Sequence, residues 1–169
     1  MSEVNQEYAA AFRGSPMSKL ELKVPPVLVV FAVAALMYGV AQVLPQIGLE
    51  HDNRLALRFI FIAFAGFLGI TAVISFRKAR TTVNPASPRR TSRLVTTGIY
   101  HFTRNPMYLG LAWGLIAWGV HLDSYYAIAC VWLFVSYITR FQIIPEERIL
   151  ASSFTDEYSK YCRRTRRWV

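Results

Sequence analysis

Long apolar blocks without formal charge constrain the fold of this chain more than any other feature of its sequence. Residues 24–49 form a run of 26 residues without a charged side chain, and residues 59–76 form a second run of 18. A helix needs about 20 apolar residues to cross about 30 Å of hydrocarbon. Arg58, at the edge of the second run, can reach the lipid headgroups with its long side chain. The blocks therefore predict an all-α, polytopic membrane protein.

A third apolar block reads as two short helices. Between residues 105 and 139 the only formal charge is Asp123, which predicts a turn near residues 120–124. Each half is close to the lower limit of about 17 residues for a span, so a re-entrant pair is the alternative to a full hairpin. Gly110 and Gly114 predict close helix packing. We expect about four transmembrane helices, at residues 24–49, 58–76, 105–121 and 124–140.

The basic residues predict the orientation of the chain in the membrane. Of the 19 lysines and arginines, 17 lie before residue 24, between residues 77 and 104, or after residue 139. The positive-inside rule then places both termini and the 77–104 loop in the cytoplasm. Residues 1–23 lack the pattern of a removable signal peptide, so we expect a mobile cytoplasmic segment followed by an uncleaved anchor.

The strongly basic composition does not require a nucleic acid partner. The net charge of +9 and the isoelectric point near 9.9 are explained by cytoplasmic loops that lie beside anionic membrane lipids. Cys130 is predicted inside a span and Cys162 in the cytoplasm, which disfavours a disulfide. The three histidines have no metal-ligand spacing, and we expect no metal site.

The start of the third helix has the features of an anion site. Asn105 and Pro106 are favourable at a helix N-terminus, where Arg104 adds a full positive charge to the helix dipole. Gly98 permits a positive φ or a close backbone approach. Tyr108 falls on the same helical face as Asn105, so its hydroxyl can line a pocket. The alternatives are that Arg104 contacts lipid phosphate and that Tyr108 is an ordinary interfacial tyrosine.

An acidic pair follows the fourth predicted span. Pro145 is expected to kink or restart the helix, and Glu146 and Glu147 then stabilise the helix dipole or bind the ribose or ammonium group of a ligand. Residues 143, 150, 154 and 161 form an apolar stripe, which predicts that the 141–169 tail, including a C-terminal helix, lies in the membrane interface.

These two elements together resemble the isoprenylcysteine carboxyl methyltransferases, a family related to the phospholipid methyltransferases. The stretch from Arg104 to Tyr108 is similar to the family's Arg-His-Pro-x-Tyr motif, with Asn105 in place of His, and Glu146-Glu147 corresponds to its Glu-Glu pair. The likeness covers roughly residues 92–168. It implies one membrane methyltransferase domain over residues 24–169, with residues 77–104 as a cofactor loop and S-adenosylmethionine as the cofactor.

The resemblance also assigns candidate site residues. Those implied to bind the cofactor are Leu94, Val95, Gly98, Tyr100, Asn105, Pro106, Met107, Tyr108 and Glu146; Ser92 and Arg93 match flanking positions less closely. The candidate catalytic residues are Arg104 for charge, Glu147 as a base if the acceptor is an amine, and Arg140 for an anionic group of the substrate. A carboxylate acceptor needs no general base, because it is already ionised.

The acceptor implied is membrane-embedded or amphiphilic, a lipid or a lipidated molecule. Gln142 stands where the isoprenylcysteine enzymes have an arginine, which leaves phospholipid N-methylation open beside carboxyl methylation. Two other classes are a sterol-reductase-like NADPH oxidoreductase and a non-catalytic membrane partner protein that binds no nucleotide cofactor. The sequence leaves the oligomeric state open.

Overall fold

The computed structural model describes residues 21–79 and 94–169, and these residues are arranged as helices with short connections. Predictions for residues 1–20 and for the loop residues 80–93, including Ser92 and Arg93, lie outside the described part. The helices are α1 (Pro26–Val43), α2 (His51–Lys78), a 3-10 turn (Gly98–His101), α3 (Pro106–His121), α4 (Tyr125–Ala129), α5 (Val131–Ile138), a π-helical turn (Thr139–Ile143), α6 (Ile144–Ser153) and α7 (Thr155–Arg164).

Within the described residues, three helices are long and apolar enough to cross a membrane. They are α1, α2 and the continuous stretch Tyr125–Ser153, which combines α4, α5, the π-helical turn and α6. The predicted span at residues 105–121 corresponds to α3, whose 16 residues cover only about 24 Å. A polytopic membrane protein is supported, whereas the count of four crossings and the orientation stay predictions.

The ends of the first two predicted spans differ from the structure for local reasons. The helix α1 ends at Val43 because Leu44 precedes Pro45 and adopts an extended conformation, with φ −103° and ψ 156°. The helix α2 begins at His51, seven residues before the predicted start at residue 58. Arg54 and Arg58 lie in its first turns and contact Asp123 and His121, respectively. These contacts stabilise the helical turns that precede the apolar block.

The described residues divide into two compact units. The first, here called the helical unit, comprises residues 24–70 and 107–138. The Trp118 indole donates a hydrogen bond to the Ala34 carbonyl over 3.1 Å, and the Trp113 ring lies edge-on to Phe64 with centroids 5.1 Å apart. A Cβ at Gly110 would lie 3.0 Å from a backbone carbonyl of α2, as the small-residue spacing predicts, but Gly114 has no such neighbour.

The predicted turn between the two short helices is present in the helical unit. Asp123 has a positive φ of 54°, and the Ser124 hydroxyl accepts a hydrogen bond from the Ala127 amide at the start of α4. The buried Asp123 carboxylate accepts hydrogen bonds from the Gly48 and Leu49 amides over 3.1 and 3.2 Å. Arg54 lies 3.7 Å from the same carboxylate. A single acidic residue therefore ties this turn to the connection that follows α1.

The second unit, here called the tail unit, comprises residues 21–23, 71–79, 94–106 and 139–169 of the described part. We expected Pro145 to kink or restart the helix. The structure has a π-helical turn immediately before it, and α6 begins at Ile144 with Pro145 in its first turn, so the stretch Tyr125–Ser153 stays helical through the proline. Because proline has no amide hydrogen, the Phe141 carbonyl loses its usual α-helical donor, and it accepts the Leu22 amide over 3.0 Å.

The tail does not form one uninterrupted amphipathic helix. Phe154 has φ −125° and ψ 27°, which separates α6 from α7. The predicted apolar stripe is broken at this residue, and Tyr158 and Tyr161 of α7 are buried within the protein. The position of the tail at the membrane interface, like the proposed single domain over residues 24–169, stays a prediction.

Candidate functional site

The loop that precedes α3 is fastened to the C-terminal end of the chain. Thr103 and Arg166 form a parallel bridge, beside which the Arg104 amide donates to the Arg166 carbonyl over 3.0 Å. The Asn105 side-chain amide donates to the Arg167 carbonyl over 3.0 Å. Two predicted site residues, Arg104 and Asn105, are thus positioned by the backbone carbonyls of Arg166 and Arg167.

The 3-10 turn packs against both α2 and α7. Gly98 has a positive φ of 66°, as its sequence context suggested, and a Cβ there would lie 2.8 Å from the Ser75 hydroxyl. The buried Tyr100 ring meets Phe76 edge-on with centroids 5.3 Å apart, and the Tyr161 hydroxyl donates to the Tyr100 carbonyl over 2.7 Å. Glycine is required here by both conformation and space.

Glu147 is the centre of a buried ion cluster. Its carboxylate accepts two hydrogen bonds from the Arg167 guanidinium, from Nε over 3.1 Å and from Nη2 over 2.7 Å. Arg104 Nη2 lies 3.3 Å from the Glu147 Oε1 atom, and the Glu147 side chain is only 5% exposed. Arg104 and the acidic pair therefore meet directly, through Glu147.

The electrostatics of this cluster favour charged arginines at positions 104 and 167 and a neutral Cys162 thiol and Tyr158 hydroxyl beside them. Burial lowers the pKa of Arg104, but the Glu147 carboxylate raises it, and the net pKa lies above its ordinary value. The hydrogen bonds to Glu147 likewise raise the pKa of Arg167. Burial raises the pKa of the Cys162 thiol, which contacts the Arg104 guanidinium, and of the Tyr158 hydroxyl. The cluster is a fixed pair of cations around one carboxylate.

One hydrogen-bond donor in this cluster has no partner among the described residues. The Nε atom of Arg104 is buried and makes no hydrogen bond there. A buried donor that stays unpaired costs about 1–3 kcal/mol, and more when the group is charged. Because Nη1 and Nη2 of Arg104 are held by Cys162 and Glu147, the guanidinium cannot turn to satisfy Nε without losing those contacts. An anionic ligand oxygen would satisfy this donor.

The other predicted cofactor residues are divided between the two units. In the tail unit, Val95, Tyr100 and Pro106 are buried, whereas Leu94, Asn105 and Glu146 are half-buried. Met107 and Tyr108 belong to the helical unit, in which Tyr108 is buried in the first turn of α3 and Met107 is half-buried.

A cavity of about 350 Å³ lies on the α7 side of the tail unit. Its lining combines the Thr96 and His101 part of the loop with α7 and the residue that follows it: Glu157, Lys160, Tyr161, Arg164 and Thr165. The Thr165 hydroxyl donates to the His101 carbonyl over 3.2 Å, which holds the two sides of the cavity together. The lining carries both basic and acidic groups, so it suits a polar or zwitterionic molecule.

Arg140, the third predicted catalytic residue, has a partner that the sequence did not indicate. Its Nη1 atom lies 3.0 Å from the Glu21 Oε1 atom, and Arg148 Nη1 lies 3.0 Å from Glu21 Oε2. The Glu21 side chain is fully buried, while 47% of the Arg140 side chain is exposed. Arg140 is therefore a half-exposed cation in the π-helical turn of the long helix.

Three site residues were missed by sequence reasoning: Arg167, Arg148 and Glu21. Arg167 lies in a run of basic residues that predicts only a charged tail, and Glu21 lies in the polar segment before α1. For Arg148, the motif itself held a signal, because it follows the acidic pair directly. Nothing in the local sequence of Glu21 or Arg167 signals contacts with residues about 120 and 20 positions away.

The chain is similar to known proteins over its central part. The family model described as "Phospholipid methyltransferase" matches residues 53–157. An uncharacterized protein of Haemophilus influenzae is 43% identical over 63 residues, which are 37% of this chain and the whole of that protein. The cobalt-zinc-cadmium resistance protein CzcN of Cupriavidus metallidurans is 34% identical over 79 residues, which are 47% of this chain and 36% of CzcN. No solved structure matches the chain.

Proposed function

The chain belongs to the phospholipid methyltransferase family, integral-membrane methyltransferases related to the isoprenylcysteine carboxyl methyltransferases, and we propose that it transfers a methyl group from S-adenosylmethionine to a membrane-embedded or amphiphilic acceptor. The family match covers most of α2, all of α3, the acidic pair and the first three residues of α7. The location proposed for the cofactor site rests on the unpaired, buried Nε donor of Arg104, because this donor suits the carboxylate of an amino acid-like ligand.

The tail unit offers groups for each part of the cofactor. In this proposal, Arg104 binds the carboxylate, and the half-buried Glu146 carboxylate accepts hydrogen bonds from ribose hydroxyls or pairs with the ammonium group. Leu94, Val95 and Tyr100 supply apolar surface for a flat ring, with Gly98 and Pro106 beside them. Burial raises the pKa of Tyr100, so its hydroxyl stays neutral. The roles of Met107 and Tyr108 as cofactor residues stay predictions.

S-adenosylmethionine supplies an electrophilic methyl group on a sulfonium, which is transferred by in-line displacement without a covalent enzyme intermediate. The task of the protein is to align the acceptor and to exclude water. Glu147 fits this task as a positioning residue. Both of its oxygens accept or face guanidinium hydrogens, so it fixes Arg104 and Arg167 rather than standing ready to take a proton. Asn105 fixes the same loop from the other side.

Two acceptor classes remain in the proposal. An isoprenylcysteine-like carboxylate is ionised at neutral pH and needs no base. The alternative is the amine headgroup of a phospholipid, which has to lose a proton before it attacks. Because the carboxylate of Glu147 is engaged by two arginines, the carboxylate acceptor makes fewer demands on this site. Arg140 is proposed to hold an anionic group of either acceptor.

The test of activity is transfer of a tritiated methyl group from S-adenosylmethionine to lipid extracts by the protein in lipid nanodiscs. Label that is released as methanol by mild alkali indicates a methyl ester, whereas alkali-stable label in the lipid fraction indicates N-methylation. Absence of label in extracts that contain both acceptor classes would contradict the proposed activity.

The test of the site is calorimetric titration of the purified protein with S-adenosylhomocysteine. We expect saturable binding that weakens about tenfold in Arg104→Lys, because lysine keeps the charge but not the planar donors, at about 1.4 kcal/mol per factor of ten. Arg163→Lys is the matched control, because Arg163 is exposed on α7 and, among the described residues, its side chain bonds only Ser159 of the same helix. Equal affinities in both variants would contradict the role of Arg104, and binding of NADPH instead would favour an oxidoreductase.

A further inference from the structure

Glu21 is a buried carboxylate shared between two arginines of the long helix. Each of its oxygens lies 3.0 Å from a different guanidinium, Oε1 from Arg140 and Oε2 from Arg148. The Glu21 side chain is fully buried, and the Arg148 side chain is only 15% exposed. One carboxylate held by two separate cations leaves a net positive charge. Such a geometry suits any compact anion with two oxygens, and not only this side chain.

The π-helical turn brings the two arginines to the same side of the helix. Successive residues of an α-helix are rotated by about 100°, so positions eight apart would differ by about 80°. A π-bulge accommodates roughly one extra residue, which reduces this difference to about 20°. The bulge at Thr139–Ile143 contains Arg140 and directly precedes the turn that leads to Arg148. Convergence of the two cations is therefore a consequence of the irregular helix that accompanies Pro145.

The segment that carries Glu21 is held in a strained conformation. Leu22 has a positive φ of 58°, an uncommon value for a residue with a branched side chain. Its amide donates to the Phe141 carbonyl, which lies inside the π-helical turn. The ion pairs of Glu21 and this hydrogen bond compensate the strain together. Loss of the ion pairs would remove the main reason for Leu22 to keep this conformation.

Arg140 gives an outside ligand access to the cluster. Nearly half of its side chain is exposed, whereas Glu21 and Arg148 are covered. Its guanidinium lies over the Phe141 ring at 5.6 Å from the centroid, which restricts its orientation. An anion that approaches from outside meets Arg140 first and can then exchange with Glu21 at Arg148. The exchange keeps the total charge of the cluster constant if the ligand carries one negative charge.

We propose that Arg140 and Arg148 form a binding site for a phosphate or carboxylate group, and that Glu21 is an internal occupant that leaves when this group binds. The identification of that group as part of the methyl acceptor rests on the proposed function, but the site and its internal occupant do not. The same chemistry is offered by a lipid headgroup and by a soluble anion. No covalent step is involved.

The experiment measures binding in the absence of a methyl donor, so its failure is distinct from failure of the proposed function. The protein in neutral detergent is titrated with dihexanoyl phosphatidylglycerol and, separately, with inorganic phosphate. In Glu21→Gln we expect either probe to bind at least about tenfold more tightly than in the wild type. This is the factor expected if Glu21 leaves the arginines free about one-tenth of the time in the wild-type protein. Glu50→Gln is the control, because Glu50 is exposed and its carboxylate accepts a hydrogen bond from Asn53 in the same turn, with no other side-chain bond among the described residues.

The double variant Glu21→Gln/Arg148→Gln should lose this binding. Both residues are replaced because Arg148→Gln alone would remove one of the two cations that hold the buried Glu21 carboxylate. In the wild-type protein, saturating ligand should accelerate hydrogen exchange of the Leu22 amide, because the segment is released from Phe141. Tighter binding of the lipid identifies a headgroup site, and equal binding of phosphate identifies a soluble anion; both support the site. Unchanged affinity in Glu21→Gln, no binding of either probe, or a Leu22 amide that stays protected at saturation would overturn the proposal.

Discussion

Glu147→Gln is the change that most directly tests the organisation of the tail unit. The Glu147 side chain is 5% exposed, and the side chains of its partners Arg104 and Arg167 are 14% and 34% exposed. The substitution removes the negative charge and leaves the amide in nearly the same volume. It therefore leaves two cations facing each other with one neutral acceptor between them.

The expected cost follows from this burial. Loss of one partner of a buried ion pair destabilises a protein by about 3–5 kcal/mol. Arg167 is one-third exposed, so solvent screens part of its interaction, and the glutamine oxygen retains one acceptor. We therefore expect a loss of about 2–3 kcal/mol in the free energy of unfolding. At about 2–4 °C per kcal/mol for a chain of this size, the melting temperature falls by roughly 5–10 °C.

The assay is thermal unfolding of the detergent-solubilised protein, followed by circular dichroism. Glu146→Gln is the matched control, because it makes the same chemical change one residue earlier at a half-buried position. We expect Glu146→Gln to weaken cofactor binding with little effect on the melting temperature. If Glu147→Gln melts at the wild-type temperature, or if the two variants are destabilised equally, the ion cluster does not stabilise the tail unit.

Three further outcomes test the packing of the described residues. Gly98→Ala should cost at least about 1–2 kcal/mol because of its positive φ, and Ser75→Ala in that background should recover only the steric part, as measured by thermal unfolding. Gly119→Ala should lower the free energy of unfolding by about 1–3 kcal/mol, because the new Cβ would lie 2.5 Å from the Ile128 side chain. Gly114→Ala is the control and should be neutral or slightly stabilising, because nothing lies within 4 Å of its new Cβ. Equal effects of the two substitutions would contradict the packing. Burial raises the pKa of Cys162, so the neutral thiol contributes stability that is complete below its ordinary pKa and is lost as the pH rises through the pKa of the folded protein. Alkylation of Cys162 by iodoacetamide near pH 8.5 should therefore be slow until sodium dodecyl sulfate unfolds the protein. Equally rapid alkylation before and after unfolding would refute this.

Local signals in the sequence were sufficient for much of the fold. The apolar blocks predicted the membrane helices, Asn105-Pro106 predicted the start of α3, and the single charge at Asp123 predicted the turn after it. Each of these depends on residues that are neighbours along the chain. The helix ends were less predictable, since the early start of α2 depends on partners that Arg54 and Arg58 find at Asp123 and His121, more than sixty residues away.

The candidate site shows the same division between local and distant effects. The Arg104–Tyr108 stretch and the acidic pair were identifiable, and Arg104 and Glu147 lie within 3.3 Å of each other in the structure. Their third member, Arg167, was hidden in a tail of several basic residues, any of which offers the same charge. Charge pattern alone does not distinguish a buried arginine from a solvated one, because that difference depends on which side chain the folded backbone carries to the carboxylate.

Pro145 has both a local effect on the helix and an effect on contacts with residues far away in the sequence. A missing amide hydrogen is a property of the residue and follows from sequence alone. A π-helical turn precedes the proline, and the Phe141 carbonyl, which lacks its usual α-helical donor, accepts a hydrogen bond from the Leu22 amide. The same turn aligns Arg140 with Arg148, and Glu21 occupies the space between them. The anion site proposed at this position therefore depends on the π-helical turn that accompanies Pro145.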